Sequence, residues 1–87
     1  MGEMSKADER LVRRLKDAPD ADFRLILRVS GDIGAAAAKL QQDSVEVRRT
    51  LSLVRSLAVR ASGRQALRLL DEPWLLRMEE DSIVRAM

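Results

Sequence analysis

The four residues Arg28-Val29-Ser30-Gly31 recur 32 positions later as Arg60-Ala61-Ser62-Gly63. Before each copy, apolar residues alternate with polar ones, which is typical of a strand with one buried face. After each copy, apolar residues are spaced three and four apart, which is typical of an amphipathic helix. The sequence therefore predicts two strand-turn-helix units of the same kind.

The patterns between and after these units complete the order β-α-β-β-α-β. Alternation predicts the strands, and the pairing of Ser62 with Gln65 is a capping box that begins the second helix. In chain order, the predicted elements are a strand over 22–29, a helix over 32–43, a hairpin of two strands from Val45 to Ala61, a helix that Asp71-Glu72-Pro73 ends, and a strand over 74–79.

Two βαβ units of this length, each split by a strand of the other, predict a ferredoxin-like α+β fold. Its four-stranded antiparallel sheet has two helices on one face, and the other face is open. Alternation places eight residues on the open face: Arg24, Ile26, Arg28, Glu46, Arg48, Thr50, Ala58 and Arg60. The candidate contact residues among them are Arg24, Ile26, Arg28, Arg48, Ala58 and Arg60.

The residues before the first strand read as a separate element. Leu11, Val12 and Leu15 form one apolar stripe of a short helix, which ends before Pro19. Because such a short isolated helix is marginal in water, we expect a solvated helical or flexible extension. The predicted organisation is an extension over 1–20, a domain over 21–80 and a tail over 81–87.

The chain contains neither cysteine nor histidine. Their absence excludes disulfides, thiolate nucleophiles, imidazole bases and the usual soft metal sites. With three lysines and no tyrosine, few groups remain for proton transfer. We therefore predict no catalytic residue, no metal and no cofactor, and the composition favours a binding or regulatory module over an enzyme.

Charge and hydropathy limit the partners and the location. The net charge is only +2, because carboxylates nearly balance 13 arginines, so the chain attracts nucleic acid weakly. No apolar run reaches the roughly 18 to 20 residues of a membrane span, and the first residues are too charged for a secretory signal. We expect a cytoplasmic protein without a membrane partner, unless this chain is a trimmed part of a secreted precursor.

The segment from Glu72 to Met87 resembles the end of a subtilisin propeptide. In that family a helix closes with an acidic residue and proline, a short strand ends in Glu-Glu-Asp, and the autocleavage site follows shortly afterwards. Here Glu72-Pro73 and Glu79-Glu80-Asp81 match that pattern. The resemblance extends in pattern upstream and covers roughly residues 22–87.

The resemblance implies the prodomain of a subtilisin-like serine protease, which acts as an intramolecular chaperone and a product-like competitive inhibitor. The partner is its own catalytic domain or a separate protease, and the chain itself is not an enzyme. A stand-alone intracellular inhibitor of the same fold is the alternative. The open face then packs on two surface helices of the protease, whose N-termini bind the carboxylates of Glu79, Glu80 and Asp81. The tail Val84, Arg85, Ala86 and Met87 lies in the active-site cleft.

The same resemblance implies that Met87 is the residue before the scissile bond and that Val84 fills the fourth pocket. Two features depart from the family. The open face is rich in arginine, whereas many propeptides are acidic on the contact side, and residues 1–20 have no counterpart.

Two other modules share the predicted topology and remain alternatives. The RNA-recognition fold stacks bases on aromatic side chains of the central strands, whereas this sheet offers only Phe23, which points inward by phase. ACT-like regulatory domains bind amino acids near a glycine-containing first loop, which Ser30-Gly31-Asp32 resembles. A glycine between a strand and a helix is more often simple turn chemistry.

Overall fold

The structure is a computed structural model and describes residues 6–81. The predicted βαββαβ order is present, and a further helix precedes it. The elements are α1 (Glu9–Asp17), β1 (Asp22–Val29), α2 (Ile33–Gln42), β2 (Glu46–Leu51), β3 (Ser56–Ser62), α3 (Gly63–Leu69) and β4 (Leu75–Glu80), with a 3-10 turn at Ser52–Val54 between β2 and β3. In this part of the chain, no helix is long and apolar enough to cross a membrane.

The four strands form one sheet in the order β2-β3-β1-β4, and every neighbouring pair is antiparallel. The first βαβ unit, β1-α2-β2, has β3 between its strands, and the second, β3-α3-β4, has β1 between its strands. This interleaving confirms the predicted α+β fold of the ferredoxin-like kind, with an open sheet face.

The core lies between the sheet and the helices. Alternate residues of β1 are buried, as the period-two pattern predicts. The central strand β3 contributes Leu57, Val59 and Ala61 to the same layer. The helices cover them with small and branched residues, among which Ala36, Leu40, Ala66 and Leu69 are buried.

Helix α1 belongs to this core, so the expectation of a solvated extension is wrong for its described part. Asp8 caps the helix, and Leu11 and Leu15 are buried among the core residues. The apolar stripe docks against α3, and this burial stabilises a helix that is too short to persist alone. Residues 6–81 therefore contain three helices, where the sequence pattern predicts two for the domain.

The segment that leads into α1 also lies along the outer edge of β4. The N–H of Met78 donates to the carbonyl of Lys6 at 2.7 Å. The Lys6 ammonium donates to the carbonyl of Glu72 at 2.8 Å, beyond the end of α3. An edge strand covered in this way offers fewer free backbone groups for pairing with another chain.

Strand β2 contains a bulge, and because of it two of the predicted open-face positions are wrong. Val47 pairs with Val59 and Arg49 pairs with Ala58, so Arg48 is the extra, unpaired residue. Arg49 therefore lies on the open face, opposite Ala58, whereas we predicted Arg48 on that face. Beyond the bulge, Thr50 pairs with the buried Leu57 and not with an open-face residue. Strict alternation cannot foresee an inserted residue, which shifts the phase of everything after it.

Candidate functional site

The open sheet face is arranged in three rows that run across the strands. Cross-strand pairing defines each row, because paired residues in an antiparallel sheet point to the same face. From β2 towards β4, the first row is Glu46, Arg60 and Arg24; the middle row is Arg49, Ala58, Ile26 and Glu79; the third row is Leu51, Ser56, Arg28 and Arg77. We call these eleven positions the open face.

The small residues at the centre of the open face are almost fully buried. Ala58 is only 3% exposed and Ser56 only 5%, although neither faces the helices. Ile26, beside Ala58, is half-buried. The Ser56 hydroxyl donates to the carbonyl of Val54 at 3.0 Å, so its hydrogen goes to the turn. Ile26 and Ala58 were both predicted on the open face, and they lie between its charged side chains.

Carboxylates neutralise two of the open-face arginines. The Arg60 guanidinium lies 3.8 Å from Asp22 and 3.6 Å from Glu46, and Arg77 lies 2.7 Å from Glu79. Exposed pairs of this kind contribute about 0–1 kcal/mol each. Within residues 6–81, no carboxylate forms a salt bridge with Arg24, Arg28 or Arg49.

The end of the open face next to the β2–β3 turn holds a cavity of about 160 Å³. Its lining combines two arginines and a glutamate with apolar side chains and a serine. The lining residues are Ile26, Arg28, Val54, Ser56, Arg77 and Glu79. The turn beside it presents large apolar side chains to solvent, since Leu53 is 100% and Val54 57% exposed. Exposed apolar groups next to charged ones are typical of an interaction surface.

The acidic segment divides between the two faces of the sheet. Glu79 pairs with Ile26 and belongs to the open face, whereas Glu80 pairs with the buried Leu25. The Glu80 carboxylate is bound by the Arg14 guanidinium of α1, and this hydrogen bond holds the pKa of Glu80 below its ordinary value. The N–H of Asp81 donates to the carbonyl of Arg24 at 2.9 Å, so the chain follows the sheet one residue beyond β4.

The predicted tail residues Val84, Arg85, Ala86 and Met87 lie outside the described residues. The first loop, a candidate site under the ACT-like alternative, is described, and its polar groups serve the fold. Gly31 has a φ of 74°, and its carbonyl accepts from Arg55 at 2.7 Å. The Asp32 carboxylate caps α2 through the N–H of Gly34.

A second depression lies on the helix side and was not foreseen from the sequence. Its volume is about 490 Å³, and its lining combines cations with apolar groups: Lys6, Ala7, Glu9, Val12, Arg13, Lys16 and Leu70. It depends on the docking of α1 beside the end of α3, which no local pattern indicates. In the described part of the chain, His, Cys, Asp and Glu form no group of three that could hold a metal ion.

Comparison with known proteins assigns the chain to no family. No protein-family model matches the sequence, and no curated protein matches it either. The fold and the open face define a small α+β domain whose exposed sheet surface combines an apolar centre with charged groups of both signs.

Proposed function

We propose that this chain is the prodomain of a subtilisin-like serine protease, or a stand-alone inhibitor of the same fold. It acts as an intramolecular chaperone and as a product-like competitive inhibitor. The course of β4 carries the proposal. This edge strand stays aligned with β1 as far as Asp81, and the sequence from Ser82 to Met87 follows directly.

The tail binds the protease cleft as an extended peptide. Such a peptide gains affinity from main-chain hydrogen bonds and selectivity from alternate side chains in pockets. We assign Met87 to the position before the scissile bond and Val84 to the fourth pocket, with Arg85 directed outward and Ala86 between them. Because Asp81 is hydrogen-bonded to the sheet, the start of the tail is fixed, which lowers the entropy lost on binding.

The open face supplies the second contact with the protease. The half-buried Ile26 and the exposed Val54 provide apolar area, and the surrounding arginines and carboxylates set orientation. Apolar centres with polar rims are the usual anatomy of protein interfaces. In this proposal, Arg24, Arg28, Arg49 and Arg60 contact the protease surface, whereas Arg48 lies at the bulge.

The acidic segment takes two different roles. Glu79 faces the open side, where it forms an exposed ion pair with Arg77, and Asp81 follows the same alternation, so we assign these two carboxylates to helix N-termini of the protease. Helix N-termini bind carboxylates through their free N–H groups and their positive dipole end. Glu80 is already bound to Arg14, so we assign it to the stability of the domain.

This activity requires no catalytic group, cofactor or metal from the chain itself. Inhibition follows from occupying the cleft of another protein, and folding assistance follows from stabilising its surface. A sequence without cysteine and histidine is compatible with both roles.

Inhibition of a commercial subtilisin tests the proposal. We expect competitive inhibition by the full chain, and weakening by roughly a hundredfold or more when the chain is cut after Asp81, since the anchoring contacts are lost. Arg85→Ala is the matched control and should inhibit like the wild type, whereas Val84→Asp should inhibit poorly. Circular dichroism checks that each variant is folded, and mass spectrometry follows cleavage.

Two results would contradict the proposal. Equal inhibition by the truncated chain would remove the role of the tail, and no inhibition of several subtilisin-like proteases would remove the inhibitor role altogether. Refolding of a denatured subtilisin in the presence of the chain tests the chaperone role separately. A rise in recovered activity is expected for a prodomain.

A further inference from the structure

Two arginines of the open face stand directly opposite each other on neighbouring strands. Arg28 of β1 pairs with Arg77 of β4. The Cβ atoms of such a pair are about 4.5–5.5 Å apart, and like charges at this position destabilise a sheet. Glu79 offsets the charge of Arg77 at 2.7 Å, but within residues 6–81 no carboxylate forms a salt bridge with Arg28. The fold alone gives no reason for Arg28.

A second like-charged pair on the same face shows the contrast. Arg24 pairs with Arg60, but Asp22 and Glu46 both lie within 3.8 Å of Arg60. The lining of the open-face cavity includes neither Arg24 nor Arg60. The pair of Arg28 and Arg77 therefore combines an unbalanced charge with space beside it.

The cavity beside Arg28 has the composition of a pocket for a short acidic side chain. Ile26 and Val54 form an apolar wall, and the Ser56 hydroxyl is committed to the Val54 carbonyl. The methylene groups of an aspartate or glutamate would rest on the apolar wall. The carboxylate would then meet a guanidinium, whose planar donors match two carboxylate oxygens.

We propose that this cavity receives an aspartate or glutamate side chain from the surface of a protein partner, held by Arg28 with Arg77 beside it. The identity of the partner as a protease rests on the proposed function. The assignment of a carboxylate to the cavity does not depend on it. A protein fits better than a nucleic acid, because the eleven positions of the open face include no aromatic side chain on which a base could stack.

The first test needs no partner. Arg28→Gln keeps a polar side chain but removes the charge opposite Arg77. We expect the melting temperature of the full chain to stay equal or to rise by up to a few degrees, because a repulsion is relieved. Arg49→Gln is the control, since Arg49 is opposite Ala58, and it should leave the melting temperature unchanged. A clear loss of stability in Arg28→Gln would mean that Arg28 serves the fold, which would overturn the proposal.

The second test uses a defined probe. The full chain is titrated with the capped peptide acetyl-Ala-Glu-Leu-amide while the arginine side-chain N–H resonances are followed by NMR. We expect the largest shifts at Arg28 and Arg77, and a loss of affinity of roughly tenfold in Arg28→Gln, since one charge-assisted contact is removed. The peptide acetyl-Ala-Gln-Leu-amide is the control. It should bind to the wild-type chain no more tightly than it binds to Arg28→Gln.

The outcomes separate the possible occupants and the two proposals. Equal shifts from the Glu and Gln peptides would overturn the carboxylate pocket. Tighter binding of inorganic phosphate or a single-stranded oligonucleotide at the same arginines would overturn it in favour of a phosphate ligand. Peptide binding without inhibition of any subtilisin-like protease would sustain the pocket and contradict the proposed function. If Arg28→Gln inhibits a subtilisin-like protease as well as the wild type does, the proposed function stands, but the pocket takes no part in it.

Discussion

The guanidinium of Arg14 in α1 binds both carboxylate oxygens of Glu80 at the end of β4. One bond, from Nη2 to Oε2, is 2.8 Å long, and Nη1 donates to Oε1. The same guanidinium lies 5.9 Å from the ring centre of Phe23, within range of a cation–π contact. These contacts of Arg14 therefore hold the end of β4 against α1.

This salt bridge predicts a pH-dependent contribution to stability. Because the hydrogen bond from Arg14 holds the pKa of Glu80 below its ordinary value of 4.5, the pair stabilises the fold above that pH. The contribution is lost as the pH falls through the lower, folded-state value. Glu80→Gln should lower the free energy of unfolding by about 0.5–1 kcal/mol at neutral pH, since the pair is partly exposed.

Urea denaturation of the wild type and Glu80→Gln at about pH 7 and about pH 3 measures the effect. The difference between the two proteins should shrink at the lower pH. Asp71→Asn, at an exposed carboxylate, is the control and should show no such difference. A gap that is independent of pH would contradict the role of the salt bridge.

Gly63, at the start of α3, packs directly against the backbone at the end of α1. A Cβ at this position would lie 2.5 Å from the carbonyl oxygen of Leu15 and 2.6 Å from that of Ala18, both of which are backbone atoms. Gly63→Ala should therefore destabilise the fold by about 1–3 kcal/mol or more through overpacking. Gly34→Ala is the control, because its Cβ would meet only the Asp32 carboxylate at 3.3 Å. Equal midpoints of denaturation for the two variants would contradict the close approach.

The buried position of Leu15 predicts that α1 contributes to the stability of the whole domain. Leu15→Ala should lower the free energy of unfolding by about 2–5 kcal/mol, because it leaves a cavity in the shared core. Arg13→Ala, on the exposed side of the same helix, should cost far less. Thermal or chemical denaturation in one transition, shifted as a whole, is the expected signature. A Leu15→Ala protein as stable as the wild type would restore the interpretation of α1 as an extension.

Trp74 is partly buried against the core, and its indole Nε1 is buried without a hydrogen-bond partner. Trp74→Ala should cost about 2–4 kcal/mol through lost packing. Trp74→Phe should cost much less, because it keeps an aromatic ring and removes an unpaired donor. Denaturation followed by circular dichroism compares the two, and equal losses would contradict this account.

Local patterns predicted the elements whose side chains alternate or are capped by near neighbours. The alternation in β1 is confirmed by its burial, and the capping box of Ser62 and Gln65 is formed in both directions. Ile26 and Ala58 share the open face as predicted, since their register depends only on regular pairing of β1 and β3. These features arise from interactions that a short stretch of sequence contains.

Contacts between distant segments were not predictable in the same way. The docking of Leu15, the bulge at Arg48 and the salt bridge between Arg14 and Glu80 each depend on tertiary structure. A stripe of three apolar residues fits a solvated helix and a docked one equally well. The pairing of Arg28 with Arg77 likewise needs the register of β4 against β1, which the sequence pattern leaves open.

The division of the acidic segment predicts different effects for its members on protease binding. The double variant Glu79→Gln with Asp81→Asn removes the carboxylates that we assign to helix N-termini of the protease. It should slow association with a commercial subtilisin by roughly tenfold at low salt, and the effect should fade as salt is raised, because the lost attraction is electrostatic. Glu80→Gln is the control and should associate at the wild-type rate at neutral pH, since Glu80 pairs with the buried Leu25, away from the open face, and Arg14 binds both of its carboxylate oxygens. Stopped-flow measurement of the association rate compares the variants. Equal slowing by the control would show that net charge alone sets the rate and would remove the specific assignment of Glu79 and Asp81.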